Sequence, residues 1–332
     1  MSSKIHAISV ALPEHTLTNE DLANQFSRWK PEKITKKLGI QQRHIVAEGE
    51  TALDLAEQAC ISLFEKVDPQ CVDFLLLCTQ SPEYYLPSTS CILQERLHLR
   101  KNIGALDYNL GCSGYVVGLS MAKGLISSGA ASNVLLVTSE TYSKHIHPGD
   151  LANRTVFGDA ATATLVTSSD EEQLHAFSFG TDGSGYDRLI VPNGGMRNKY
   201  DPNAEPEDDG KGNLRTPNNL FMDGPEIFNF TIEAVPILVD DVLKQNEMTR
   251  DDVDYFIFHQ ANKHMLMYLQ EITNIPPEKF YLDMLNTGNT VSSTIPIGIS
   301  KCLQEGTIHK GDKVMLVGFG VGYSWAGTII TV

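Results

Sequence analysis

The sequence predicts an α/β fold of two similar halves, each a largely parallel sheet covered by helices on both faces. Three observations carry this. Strand-length runs are apolar throughout, as in Val72-Asp-Phe-Leu-Leu-Leu-Cys-Thr79 and Asn133-Val-Leu-Leu-Val137, the pattern of strands buried on both faces. Helical patterns separate these runs. The series then recurs: Val253-Asp-Tyr-Phe-Ile-Phe-His-Gln260 follows the first run by 181 residues, and Lys313-Val-Met-Leu-Val317 follows the second by 180. Gly298-Ile-Ser300 likewise follows Gly118-Leu-Ser120 by 180. Three matches at nearly one offset make chance a poor account. The expected organisation is an N-terminal half, 1–180, and a C-terminal half, 181–332, whose sheets pack through a shared helical layer. A chain of 332 residues also exceeds what one core usually serves.

Within each half the order is amphipathic helix, all-apolar strand, connecting region, Ser/Cys-led helix, second all-apolar strand. In the first half, Ile103 to Leu110 reads as a further buried strand. It runs into Gly111-Cys112-Ser113-Gly114 and then a helical pattern of Val116, Val117, Leu119, Met121, Ala122 and Leu125. This puts a thiol at a helix N-terminus, where unpaired N–H groups and the dipole favour thiolate, as acyl transfer to a nucleophile requires. Read alone, Cys112 is equally well a cysteine packed as a small hydrophobe. The repeat maps Cys112 onto Ser292, so one copy of the helix start carries a thiol and the other does not.

Between the halves, Gly183 to Asn219 is rich in Gly, Asn, Asp and Pro and contains Glu205-Pro-Glu-Asp-Asp-Gly-Lys-Gly-Asn213. A loop of this length is functional or mobile. Its acidic tip reads as a solvated excursion, and its ends, near Met196 and Phe221-Met-Asp-Gly-Pro225, as a lid or partner-binding element.

In the second half, His259 closes an apolar strand and opens Gln260-Ala-Asn262, the strand end where α/β proteins place their sites. A lone histidine there is more often a cap or core residue. His259 and His264 lack the i, i+4 spacing of a zinc helix and have no supporting carboxylate or thiol cluster, so no metal is expected. Asn289 lies in Asn286-Thr-Gly-Asn-Thr-Val-Ser-Ser293, ahead of a helix expected from near Ser293. It reads as a turn residue or as an amide donor aimed into a cleft. Gly318-Phe-Gly-Val-Gly-Tyr-Ser-Trp325 interrupts a terminal strand pair with three glycines, either a tight connection or backbone made to approach a ligand.

Six cysteines without paired spacing suggest a reducing, cytoplasmic setting. The N-terminus lacks a signal peptide's apolar core, and no apolar run approaches membrane-spanning length. The net charge of −15 argues against nucleic acid as a partner and would repel an acidic carrier protein unless a local basic patch receives it.

Cys112, His259 and Asn289 supply a nucleophile, an imidazole and an amide from three separate loops, a set suited to an acyl-cysteine intermediate. Further motifs stand in order along nearly the whole chain: Gly39-Ile-Gln-Gln-Arg-His44, Leu86-Pro-Ser88, Phe157-Gly-Asp-Ala160, His259-Gln-Ala-Asn262, Gly288-Asn-Thr290 and Gly318-Phe-Gly320. In these the sequence resembles the β-ketoacyl-acyl-carrier-protein synthase III family of the thiolase-like superfamily. The Cys/His/Asn set separates that family from elongating synthases with Cys-His-His and from thiolases with a second cysteine.

The resemblance implies a thiolase-like, five-layer αβαβα architecture and an initiator of fatty-acid biosynthesis. It implies that Cys112 takes an acyl group from a thioester, expected to be acyl-CoA, with the oxyanion held by the N–H groups of Cys112 and Val321. Relatives usually have glycine at the latter position. A malonyl thioester then enters, His259 and Asn289 donate to its carbonyl oxygen, carbon dioxide leaves, and a β-ketoacyl thioester forms. The resemblance further implies a homodimer in which Leu86, preceded by Tyr84 and Tyr85, reaches the partner's acyl pocket. Acyl carrier protein is the expected partner, and no cofactor is held permanently.

The chain departs from the family pattern around the CoA site. Lys33 stands where initiators carry a tryptophan, with Trp29 four residues earlier. Leu151 stands where relatives place an arginine, with Arg154 nearby, and Lys37 replaces another arginine. After His259, Lys263 and His264 are followed by no Lys or Arg until Lys279. Trp29, Lys37, Arg154, Lys263 and His264 are therefore the candidate substrate-binding residues. The runner-up is a specialised synthase III-like acyltransferase of secondary or polysaccharide metabolism with a different acceptor. A third reading is a non-catalytic thiolase-like partner subunit.

Overall fold

The apolar runs form two sheets. The computed structural model describes residues 1–26 and 30–332. The chain opens with β1 (Ser2–Ala11), then β2 (Thr16–Thr18), α1 (Asn19–Gln25), α2 (Pro31–Leu38) and β3 (Gln42–His44). Next come α3 (Ala52–Phe64), β4 (Phe74–Cys78), α4 (Thr89–Arg96), β5 (Gly104–Tyr108), α5 (Gly114–Ser127) and β6 (Asn133–Glu140). The short α6 (Leu151–Arg154) leads to β7 (Ala160–Ser169) and β8 (Leu174–Thr181). The inter-half segment carries only two-residue strands, β9 (Leu189–Ile190), β10 (Glu207–Asp208), β11 (Leu214–Arg215) and β12 (Phe221–Met222). The second half then builds α7 (Gly224–Gln245), β13 (Tyr255–Phe258), α8 (Lys263–Ile272), α9 (Thr294–Glu305), β14 (Lys313–Gly320) and β15 (Ser324–Thr331).

The strand order is β1-β7-β6-β4-β5 in one sheet and β8-β15-β14-β13 in the other. The pairings correspond. β4 runs parallel to β6 and β13 parallel to β14, while β7 and β15 join antiparallel to their neighbours. Phe280, bridged in parallel to Phe256, stands where the first sheet has β5. β8 pairs with β15, so residues 174–181 belong to the second sheet although they precede residue 181.

Alternation along each strand explains why the runs are apolar at every position. Leu76, Val134 and Leu136 face one way, into a central core shared with Ile257, Val314 and Leu316 of the other sheet and with Leu119 of α5 and Ile299 of α9. Leu75, Leu77 and Leu135 face outward against α3 and α4, whereas Phe256, Met315 and Val317 face α7 and α8. The five layers are thus helices, sheet, the α5/α9 pair, sheet, helices, the thiolase-like arrangement. β5 corrects the expectation of a buried strand from Ile103 to Leu110. It is an edge strand, and Leu106 is 43% exposed. Apolar composition fits an edge as well as a centre, so the local sequence does not distinguish them.

One buried cation fixes the segment beside the later site. Arg43 on β3 is fully buried; its guanidinium donates to Leu17 O at 2.9 Å, Asn19 Oδ1 at 2.9 Å and Thr155 O at 2.8 Å. Arg43→Met would leave three buried acceptors unpaired, at about 1–3 kcal/mol each before relaxation. A loss of at least about 3 kcal/mol is expected as a lowered urea midpoint, and an unchanged midpoint would contradict this role.

Candidate active site

Cys112 lies between β5 and α5. A tight turn, Gly114 N to Gly111 O at 2.8 Å, delivers it to the helix start. Ser113 occupies the N-cap position, but its hydroxyl bonds Ser324 Oγ at 2.6 Å across to the other half. β14 presses on this turn. A Cβ at Gly318 would lie 2.8 Å from Cys112 O, and one at Gly320 would lie 2.9 Å from Cys112 Sγ. These glycines therefore admit the protein's own nucleophile turn. The backbone N–H groups of Val321 and Cys112 favour the sulfur's anion.

The thiol is 5% exposed. Burial pushes it up to about 12, the nearby Glu140 carboxyl adds to the rise, and the two N–H groups oppose it. This corrects the expectation of a resting thiolate. The helix start favours the anion, but desolvation outweighs it, and the resting sulfur is protonated.

His259 emerges from the C-terminal end of β13, anchored by His259 N to Val317 O at 2.8 Å. Burial lowers its imidazole to about 3, so it is neutral at any working pH. Nδ1 lies 2.8 Å from Thr294 Oγ1, which also reaches Val291 O at 3.1 Å. The threonine proton can go to either; given to Nδ1, it leaves the imidazole proton on Nε2.

Asn289 is placed by both halves. Its N–H donates to Val156 O at 2.9 Å, and Gly158 N donates to Asn289 O at 3.0 Å. Val291 N holds Asn289 Oδ1 at 2.9 Å, which turns Nδ2 toward His259 Nε2 at 3.5 Å. The two donors thus sit side by side, facing the thiol across a cavity of about 90 Å³ that Cys112, His259 and Asn289 line together. Phe157, Leu189, Met222, Ile227, Met265 and Phe319 form apolar walls.

The other sequence candidates separate. Leu86 is 83% exposed and does not line this cavity. Lys263 opens α8 beside Asn262, which lines the cavity and caps the helix at Met265 N. His264 is exposed and stacks on Phe228 at 5.9 Å, and Lys37 is exposed in the last turn of α2. Arg154 donates its Nη1 to Gln25 Oε1 at 2.7 Å and Pro148 O at 2.8 Å, and Leu151 is buried. Trp29 lies outside the described residues. Of the inter-half segment Gly183 to Asn219, Leu189 reaches the cavity, as do Met222 and Gly224 just beyond its end, while Met196 is 81% exposed. The acidic tip is tied internally, with Arg215 bridging Asp209 at 2.7 Å and Asp150 at 3.4 Å. Sequence reasoning missed Thr294 and Glu140, whose partners are distant in the chain. Thr294 stands two residues after Ser292 in the repeat.

Two family models match, 3-oxoacyl-[acyl-carrier-protein] synthase III over residues 106–183 and its C-terminal counterpart over residues 243–332. The β-ketoacyl-[acyl-carrier-protein] synthase III of Methylococcus capsulatus is 32% identical over 330 residues, 99% of this chain and 98% of that protein. A 2.1 Å crystal structure of a 3-oxoacyl-(acyl-carrier-protein) synthase III superposes with TM-score 0.98 at 45% identity, covering 100% of both chains. The 3-oxoacyl-(acyl-carrier protein) synthase of Burkholderia xenovorans gives 0.92 at 35% identity, over 100% of this chain and 94% of that one.

Because the thiol is raised to about 12, alkylation of Cys112 by iodoacetamide is expected to climb steadily from pH 7 to 10 without levelling, as thiolate accumulates. Peptide mass spectrometry at fixed reagent reads this. A plateau below about pH 8 would mean a preformed thiolate.

Proposed function

The chain belongs to the 3-oxoacyl-[acyl-carrier-protein] synthase III family, and on that premise we propose that Cys112, His259 and Asn289 carry the family's acyl condensation here. It is a thiolase-like acyltransferase of the type that initiates fatty-acid biosynthesis. The observation that carries the residue roles is the convergence of all three side chains on one cavity.

In this reading the family's cycle runs through these residues. Cys112 Sγ attacks the thioester carbonyl of an acyl-CoA, and its proton leaves with the departing thiol, since burial keeps the resting sulfur neutral. The N–H groups of Cys112 and Val321 receive the oxyanion; backbone donors are indifferent to the valine side chain. A malonyl thioester follows. Asn289 Nδ2 and His259 Nε2, with Thr294 turned to Nδ1, donate to its carbonyl oxygen and stabilise the enolate as carbon dioxide departs. The carbanion attacks the acyl-cysteine carbon, the C–S bond breaks, the β-ketoacyl thioester leaves, and the released Cys112 thiolate takes a proton from solvent to restore the resting thiol. Lys263, with the His264 imidazole beside it at the α8 start and Lys37 on the neighbouring α2, is suited to the phosphates of a pantetheine carrier. CoA delivers the acyl group in this reading and acyl carrier protein the malonyl group.

A homodimer is supported by the β5 edge and by Tyr84, Tyr85 and Leu86, which are 60%, 73% and 83% exposed. Such apolar exposure beside an unpaired edge calls for cover. Leu86 would then reach the partner's acyl pocket. Six free cysteines accord with a cytoplasmic setting.

Leu151, buried where relatives place an arginine, favours a second reading, a specialised acyltransferase with a different acceptor. Carbon dioxide release separates the two. With acetyl-CoA and malonyl-acyl carrier protein, wild type is expected to release carbon dioxide and form a β-ketoacyl product. Asn289→Ala is expected to lose about 10²–10³-fold in kcat while remaining folded. Acylation of the enzyme without carbon dioxide release would favour the different acceptor.

A further inference from the structure

The duplication repeats the site as well as the fold. By the offsets that align the strands, His259, Asn289, Cys112 and Gly320 correspond to Cys78, Asn109, Ser292 and Glu140. The correspondence is physical. β6 and β14 are both eight residues long, and they end on Glu140 and Gly320. Thr294 approaches His259, and at its counterpart Gly114 a Cβ would meet Cys78 Sγ at 2.3 Å. Gly320 lies against Cys112, and Glu140 Oε1 lies 3.4 Å from Ser292 Oγ. Where the open copy leaves room beside its nucleophile, the closed copy holds a carboxyl.

Glu140 is fully buried and, among the described residues, forms no ion pair. Gln80 N donates to Oε1 and Oε2 at 3.1 and 3.0 Å, and Ser81 Oγ to Oε2 at 3.3 Å. Gln80 carries this anchorage to the nucleophile. Its Oε1 accepts from Tyr142 OH at 2.5 Å, its Nε2 donates to Asn109 Oδ1 at 2.9 Å, and Oε1 lies 2.8 Å from where a Cβ on Gly111 would stand. On the other side, Ser292 sits in the turn Val291–Ser293, whose first residue holds Asn289 Oδ1 through its N–H and receives Thr294 at its carbonyl.

We propose that Glu140, the carboxyl that fills the closed copy of the site, is a positioning residue for the open copy. Through Gln80 it fixes the Gly111-Cys112 turn, and through Ser292 it fixes the turn that orients Asn289 and His259. This rests on the reading of those three residues as the reacting set. Burial holds the carboxyl well above its usual range, and the hydrogen bonds from Gln80 N, Ser81 and Ser292 oppose that shift. Misplacement of both loops slows chemistry and leaves donor binding at the cavity mouth intact.

The test uses full-length Glu140→Ala and Glu140→Gln, assayed for kcat and for KM toward acetyl-CoA by carbon dioxide release, with Cys112→Ala alongside. Glu140→Ala is expected to lose about 10²-fold in kcat with KM unchanged within about twofold. Glu140→Gln, of equal size and keeping an acceptor oxygen, is expected to recover to within about tenfold of wild type. A wild-type kcat in Glu140→Ala, a loss carried by KM, or a glutamine variant as slow as the alanine overturns the proposal. Should Glu140→Ala fail to fold, Gln80→Ala and Ser292→Ala cut the two tethers singly; full kcat in both overturns it equally. β-Ketoacyl product formed by Cys112→Ala would instead defeat the reading of the nucleophile.

Discussion

Two backbone hydrogen bonds, Asn289 N to Val156 O and Gly158 N to Asn289 O, join the halves where the chemistry sits. Everything else in the site is arranged around that seam. It brings the amide of one half beside the segment that walls the cavity from the other half. A Cβ at Gly158 would lie 2.3 Å from Thr287 O, so the seam closes only with glycine there. Buried Arg43 backs it through Thr155 O. The shared α5/α9 layer sets the distance: two helices in one packed core hold their starts in register, and the nucleophile turn and the Asn289 turn both lie at such starts.

Burial then decides the electrostatics. In a site this dry, Cys112 rests as a thiol and His259 as a neutral imidazole, so no charge stands in the cavity before substrate enters. Fixed N–H donors in a low dielectric are worth more than in water and need no reorganisation as charge develops.

Much of this was legible in the sequence. Strands buried on both faces are apolar at every position, so the runs at 72–79, 133–137, 253–260 and 313–317 announced sheets, and their common offset announced duplication. Cys112, His259 and Asn289 were legible because each stands in a distinctive motif on a loop between elements. Other features depend on distant contacts that leave no local trace. Glu140 meets Gln80 and Ser292 from 60 and 152 residues away. The edge position of β5 depends on strand order, the protonated thiol on enclosure by the other half, and the internal engagement of Arg154 on Gln25, 129 residues distant.

The central claim is that Cys112 carries the acyl group. Intact-protein mass spectrometry after incubation with short and long acyl-CoAs, on wild type and Cys112→Ala, tests it most directly. The account expects a gain of one acyl group in wild type and none in the variant. An adduct that persists without Cys112, or no adduct on folded wild type from either CoA or acyl carrier protein, would contradict it.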